Sequence, residues 1–301
     1  MSSLELIKKL RDEMGGIGMA DCKKALEETG GNYEEAIAWL RKKGLANAAK
    51  KASRVASEGL VCVAVSGLKG ALVEVNSETD FVAKNSTFTA LVSEIGAKSL
   101  EVASFDALKT SFEEKIALAT AGIGEKIEIR RMASVAVSKG AIAFYVHNAT
   151  EENKMLGKIG VLIGVESSAS QEKLLDLGKK IGMHIASCTP KYLERNEVSA
   201  EEIAKEKAIL MEQASSSGKP QAVIEKMVEG RMSKFYSEFV LLEQAFVMNP
   251  DVTVRAFVES FAKEVGAEVK ITAFKMMKLG EGIEKKEDNF AEEVAKMTSG
   301  K

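Results

Sequence analysis

Apolar residues recur every three to four positions at the start of the chain, and polar ones fill the gaps. Leu4, Ile7, Leu10 and Met14 mark one helical stripe, Cys22, Ala25, Leu26 and Thr29 a second, and Ala36, Ile37 and Leu40 a third. Gly30-Gly31 stops the second helix, and Asn32 with Glu35 three positions later reads as the capping pair that opens the third. A small helical bundle over residues 1–45 follows. Residues 41–54 carry Arg41, Lys42, Lys43, Lys50, Lys51 and Arg54 among alanines with no acid, and read as a solvated linker helix.

From Gly59 the period changes to two. Residues 60–65 and 71–75 read as strands joined by a turn over 66–70, and Phe88, Leu91, Val92 and Ile95 predict a helix from about 81 to 100. A further helix is expected over 105–121. Residues 126–137 and 141–147 then read as a second hairpin about Ser138-Lys139-Gly140. A strand over 159–165 and a helix over 171–187, striped by Leu174, Leu177, Ile181 and Ile185, repeat the pattern. The fold class is therefore α+β, with a core of two related halves built on antiparallel sheets. His184 falls beside the second stripe and reads as a partly buried structural histidine.

Helices over 199–214 and 221–243 carry facing apolar seams, Ile203, Leu210 and Ala214 against Ile224, Val228 and Phe235, so they predict a protruding antiparallel helical hairpin. Val254, Phe257, Val258, Phe261 and Val265 give one amphipathic helix, and residues 269–276 a strand able to rejoin the second half. Phe290, Val294 and Met297 leave a narrow stripe for a short C-terminal helix.

Composition removes several function classes. Charged residues make up 29% of the 301, but the formal net charge is −2, so there is no general attraction to nucleic acid. No stretch approaches the ~18 consecutive apolar residues of a membrane span, and the N-terminus lacks a basic-then-apolar leader, so a cytoplasmic protein is expected. Cys22, Cys62 and Cys188 are odd in number and sit among apolar neighbours, as buried free thiols would. With only His147 and His184, and no recognised zinc or serine-hydrolase spacing, neither a metal nor a cofactor is expected, and covalent catalysis has no evident residues. Gly16-x-Gly18 mimics the start of a dinucleotide loop, but Asp21 stands where a third glycine is needed and a helix precedes it.

The most marked segment is Asn76-Ser77-Glu78-Thr79-Asp80-Phe81-Val82-Ala83-Lys84-Asn85, where strand gives way to helix. Ser77, Thr79 and Asp80 can each cap a helix start. Phe81 has two readings. Seven residues before Phe88, it fits the first position of the buried stripe; at a turn, it fits an exposed anchor for a partner.

Several of these segments together resemble the elongation factor Ts family, the guanine-nucleotide exchange factors of elongation factor Tu. Met19-Ala20-Asp21-Cys22-Lys23-Lys24-Ala25-Leu26 and Glu78-Thr79-Asp80-Phe81-Val82-Ala83-Lys84-Asn85 are similar to its two signatures. Residues 127–132, Lys226-Met227-Val228-Glu229-Gly230-Arg231, Phe246-Val247-Met248 and Gly280-Glu281-Gly282-Ile283-Glu284-Lys285 match further on, in order. Ile17, Ala20 and Ala245 depart from the family's usual residues. The resemblance implies a ubiquitin-associated-like bundle with its linker (1–54), a first core half (55–147), a second (148–195 with 244–276), the helical hairpin (196–243) and a C-terminal module (277–301). It also implies partner contacts at Lys23, Asp80, Phe81, Ile123, Gly124, His147, Val247 and Met248, with Thr79, Asp80, Phe81 and Val82 as the motif that displaces the partner's Mg²⁺. Elongation factor Tu is then the partner, with no direct nucleic acid or membrane, and the hairpin is a surface for a homodimer or heterotetramer. The competing class is an interaction scaffold without exchange activity, because three-helix modules bind many partners.

Overall fold

The computed structural model describes residues 3–14, 17–215 and 220–284. Three helices come first, α1 (Ser3–Glu13), α2 (Met19–Glu28) and α3 (Tyr33–Lys51). Asn32 caps α3 as expected: its side chain accepts from Glu35 N–H at 3.3 Å and donates to the Glu35 carboxylate at 2.8 Å. Leu10, Cys22, Ala25, Ala36 and Leu40 close a shared core, and Ile17 adds its side chain from the α1–α2 connection.

Strands β1 (Glu58–Ser66) and β2 (Lys69–Ser77) pair in unbroken register, so Gly67-Leu68 alone makes the turn. Gly67 supplies the positive φ (56°) that a two-residue hairpin loop demands. A single 3-10 turn (Val82–Lys84) leads into α4 (Ser86–Ser99), then α5 (Phe105–Ile123) and β3 (Glu128–Ala136), which lies antiparallel on β2. The basic stretch after residue 40 is no separate linker helix. It is mostly the continuation of α3, which packs along α5: Gly44 is buried against Leu118, and Lys51 Nζ donates to the Thr120 carbonyl at 3.3 Å.

β4 (Ala141–His147) follows, then the two-residue β5 (Leu156–Gly157) and β6 (Ile159–Ser167). The hairpin expected of β3 and β4 does not form, since β4 pairs with β6 and β3 stays on β2. A glycine turn reports that the chain reverses, not that its flanks pair. Here Val135, Val137 and Ile142 are all buried between the two sheets, so the chain crosses from one sheet to the other at Ser138–Gly140. β4, expected in the first half, therefore belongs to the second sheet.

Beyond β6 come α6 (Gln171–Cys188), α7 (Ala200–Ser215), α8 (Gln221–Phe239), β7 (Ala245–Phe246), β8 (Asn249–Thr253), α9 (Val254–Val265) and β9 (Val269–Lys278). The sheets run β3-β2-β1-β5 and β4-β6-β9, all antiparallel, with a small β7-β8 ribbon. Leu72, Val61 and Val63 of the first sheet meet Ile142 and Leu162 of the second in a core between them. Phe88, Val92, Ile95 and Leu108 cover the first sheet's other face, and Leu174, Leu177, Ile181 and Val258 cover the second's. Helices α7 and α8 form the expected hairpin, sealed by Leu210 and Ala214 against Ile224, Val228 and Met232. Helix α8 ends at Phe239, short of residue 243, where Lys191 and Tyr192 N–H both donate to the Phe239 carbonyl. The C-terminal stripe of Phe290, Val294 and Met297 lies outside the described residues.

The two halves repeat in detail. Each centres on one strand, β2 or β6, flanked by the strand that pairs before it and by a third, β3 or β9. Two helices, α4 and α5, precede β3, whereas the α7–α8 hairpin and the β7-β8 ribbon stand between α6 and α9 before β9. Gly59 and Gly140 both hold positive φ, and a Cβ on either would stand 2.2 Å from a carbonyl oxygen of the central strand, Val75 or Val165. Gly96 lets α4 close on Cys62, and Gly178 lets α6 close on Ala143. The central strands shift register against their third strands at matched positions, Glu74/Val75 and Gly164/Val165.

Candidate functional site

Against this repeat, one departure stands out at the strand-to-helix junction. Eight positions separate Ser77, the end of β2, from Asn85, the cap of α4; three separate Ser167 from Ser170 in the second half. The extra length is the turn carrying Asp80 and Phe81. The helix does not start on Ser77, Thr79 or Asp80 as their side chains suggested. Asn85 is the cap, accepting from Thr87 N–H at 2.9 Å and Phe88 N–H at 3.2 Å.

The candidate caps serve the turn instead. Thr79 donates its N–H to Glu125 at 2.9 Å and its hydroxyl to the other oxygen of the same carboxylate at 2.6 Å. Glu78 returns the exchange by accepting from Lys126 N–H at 2.6 Å, with Arg54 3.3 Å away. Two loops thus trade carboxylates. Ser77 donates its hydroxyl to the Thr79 carbonyl at 3.0 Å.

Within this clasp the chain divides its side chains between core and solvent. Val82 and Ala83 are buried with Phe88 and Leu91, while Phe81 is 79% exposed. The stripe reading of Phe81 fails. An aromatic ring that open to water forgoes about 2 kcal/mol of burial, and the residues just before it, Glu78 and Thr79, are the ones the clasp holds. Asp80 is also exposed, 3.6 Å from Lys84.

Phe81 and Val82 share a cleft of about 370 Å³ with Arg11 of the bundle and Ile123 at the end of α5. Gly124, in the left-handed conformation (φ 90°), ends that helix and starts the loop that holds Glu125. A larger cleft of about 820 Å³ opens on the other side, between Asp80, Lys84 and Thr89 and the loop over 148–153. His147 immediately precedes that loop, exposed at the end of β4, its Nδ1 3.0 Å from the Tyr145 hydroxyl. Lys23 lines neither cleft. It stands exposed on α2, 3.6 Å from Glu27.

Val247 and Met248 occupy the turn between β7 and β8 and are 43% and 46% exposed. His184 lies beneath them, fully buried rather than partly so, because Phe246 and the Leu241–Gln244 segment close over it. Its Nδ1 accepts from Val247 N–H at 3.1 Å and its Nε2 meets Gln244 Oε1 at 2.8 Å. Burial holds its pKa below the usual value, against the opposing Gln244 bond.

Nucleophile chemistry finds no support among the thiols. Burial pushes the Cys62 thiol up to about 12 and raises Cys22 and Cys188 as well, although Cys188 is only half-buried. Among the described residues no group of three His, Cys, Asp or Glu side chains is placed to hold a metal ion, and no helix is long and apolar enough to cross a membrane.

The family model for elongation factor Ts matches residues 78–281, opening on the clasped turn at Glu78. The chain belongs to the elongation factor Ts family. It is 48% identical to the elongation factor Ts of Bartonella bacilliformis over 98% of both chains, and 50% identical to that of Maricaulis maris over 96% of both. The elongation factor Ts of Rickettsia felis is 48% identical over 99% of this chain and 98% of its own.

In this member of the elongation factor Ts family, the side chains that hold the exposed ones were the part hidden from sequence reasoning. Glu125 looks like any surface acid in a loop, and its bond to Thr79 spans 46 positions. Gln244, 60 positions from His184, gave no signal either.

Proposed function

We propose that this chain is a guanine-nucleotide exchange factor for elongation factor Tu, and that Phe81 is the side chain that drives release of GDP. The observation that carries this is a Phe 79% exposed on a turn longer than its counterpart and tied, just before the ring, to the Glu125-Lys126 loop by reciprocal carboxylate bonds. A preorganised aromatic loses little entropy on docking, which favours its use as an anchor. On this reading Phe81 enters between helices of the partner's GTP-binding domain, disturbs its Mg²⁺ and phosphate sites, and leaves the nucleotide site open for GTP. Asp80 sits at the mouth of that contact, and Thr79 and Val82 fix its backbone. Ile123 lines the same cleft, and Gly124 follows it in the chain. Lys23, His147 and the Val247-Met248 turn would contact the partner elsewhere.

The energetics are those of linkage. If factor and GDP antagonise one another on one protein, each weakens the other equally. A thousandfold weakening requires ~4 kcal/mol, and one buried aromatic with a loop rearrangement supplies energy of that order. No covalent step by this chain is needed. We assign the α1–α3 bundle a ubiquitin-associated-like role in docking, the α7–α8 hairpin the meeting surface for a second copy, and the cytoplasm as the site of action.

Release of fluorescent GDP from elongation factor Tu at substoichiometric factor tests the proposal. Phe81→Ala is expected to cut the stimulated rate about a hundredfold with an unchanged circular dichroism spectrum. Release at the unmutated rate would refute the wedge.

A further inference from the structure

The turn that presents Val247 and Met248 has few bonds of its own. It joins a two-residue strand to a five-residue one through a register shift, and a two-stranded ribbon of this size is marginal in water. Both side chains are apolar and nearly half exposed, so hydrophobic burial favours their collapse inward. Something must hold the backbone out. The group placed to do so is His184, fully buried on α6.

A relay of fixed donors orients its ring. Gln244 Nε2 donates to the Glu238 carbonyl at 2.7 Å and reaches the Cys188 carbonyl at 3.4 Å, so its Oε1 must face the imidazole. The proton therefore sits on Nε2, and Nδ1 is left bare to accept Val247 N–H. Phe246 lies tilted against the ring at 5.8 Å and is itself stacked on Phe257 of α9 at 4.2 Å, so the imidazole is held in plane as well as in tautomer.

We propose that His184 is a positioning residue for partner docking: its bare Nδ1 fixes the Val247 amide and thereby holds Val247 and Met248 outward. The inference rests on reading Val247 and Met248 as contacts of the exchange factor with elongation factor Tu.

Two conservative variants separate this role from simple packing. In His184→Asn the side-chain oxygen stands near the place of Nδ1 and keeps the acceptor for Val247; in His184→Gln the amide stands near Nε2 and keeps only the bond to Gln244. With full-length protein and elongation factor Tu carrying fluorescent GDP, His184→Asn is expected to stay within about threefold of the unmutated KM. His184→Gln should raise KM about tenfold with kcat unchanged, the loss of roughly one hydrogen bond's worth of binding. Exchange of the Val247 amide with deuterium should quicken in His184→Gln only. Equal KM in the two variants, or losses that simply follow their melting temperatures, would overturn the assignment. If instead the double change Val247→Ser with Met248→Ser leaves KM unaltered, the contact reading itself falls; the deuterium measurement then still reports whether His184 holds the turn.

Discussion

The two halves of the core are the same device made twice, and their value lies in where they disagree. Gly59 and Gly140, Gly96 and Gly178, and the paired register shifts in β2 and β6 occupy matching places. The connections do not match. The first half lengthens the passage from central strand to helix and hangs Phe81 there; the second keeps that passage short and spends its extra chain between α6 and α9, on the hairpin and the Val247-Met248 turn. The methods of support differ too. The turn before exposed Phe81 is tied by carboxylates at a half-buried loop pair, whereas the Val247 amide itself bonds an imidazole sealed in the core. Duplicated positions preserve packing, and inserted ones are free to carry contacts.

The sharpest test of equivalence is Gly59→Ala beside Gly140→Ala. Each forces an L-residue into positive φ with its Cβ on a strand carbonyl, so each should cost about 3–5 kcal/mol in denaturant unfolding. Tolerance in one half alone would break the comparison. Next comes Glu74, whose matching position is Gly164. Burial pushes the Glu74 carboxyl up, but Gly280 N–H, Arg131 and Arg130 outweigh it and hold the pKa below the usual carboxylate value. A depressed pKa stabilises the fold above the unfolded-state value, and that contribution is lost as pH falls through the folded one. Melting temperature should therefore drop on acidification below about pH 4.5. Glu74→Gln should flatten this response and cost about 3 kcal/mol at pH 7 by leaving two arginines short of a partner.

Smaller effects probe the clasp. Glu125→Gln should destabilise by only about 1 kcal/mol yet slow stimulated GDP release about tenfold, because the turn loosens while the core stays intact. Equal slowing with Glu125→Gln and with a distant core change of the same stability would remove its special role. Smallest of all, Lys84→Ala removes an exposed pair with Asp80 and should shift stability by less than about 0.5 kcal/mol, measured by urea unfolding.

Much of the architecture is legible in the sequence. Asn32 and Glu35 announced the α3 start because capping is a local bond between residues three apart. The α9 stripe was equally plain, with Val254 and Val258 buried where the spacing put them. Errors arose where several residues offered the same local chemistry. Ser77, Thr79, Asp80 and Asn85 can all cap a helix, and only the reach of Glu125 removed Thr79 from contention. Likewise Ser138-Lys139-Gly140 is good turn chemistry whether the flanking strands pair together or part company.

Determined by the sequence alone were the period-matched helices and strands, the doubling of the core, the hairpin arm and the motif that marks the family. The helices, strands and motif depend on neighbours within a few positions, and the doubling and the arm were read from those local patterns recurring along the chain. Tertiary structure decided that β4 leaves β3 for the second sheet, that His184 is sealed beneath Val247, and that Phe81 faces water. Periodicity could not settle Phe81, because its spacing from Phe88 fits core and surface equally. The turn that carries it is anchored by a carboxylate 46 positions away from Thr79, and a bond of that span leaves no trace in any local pattern.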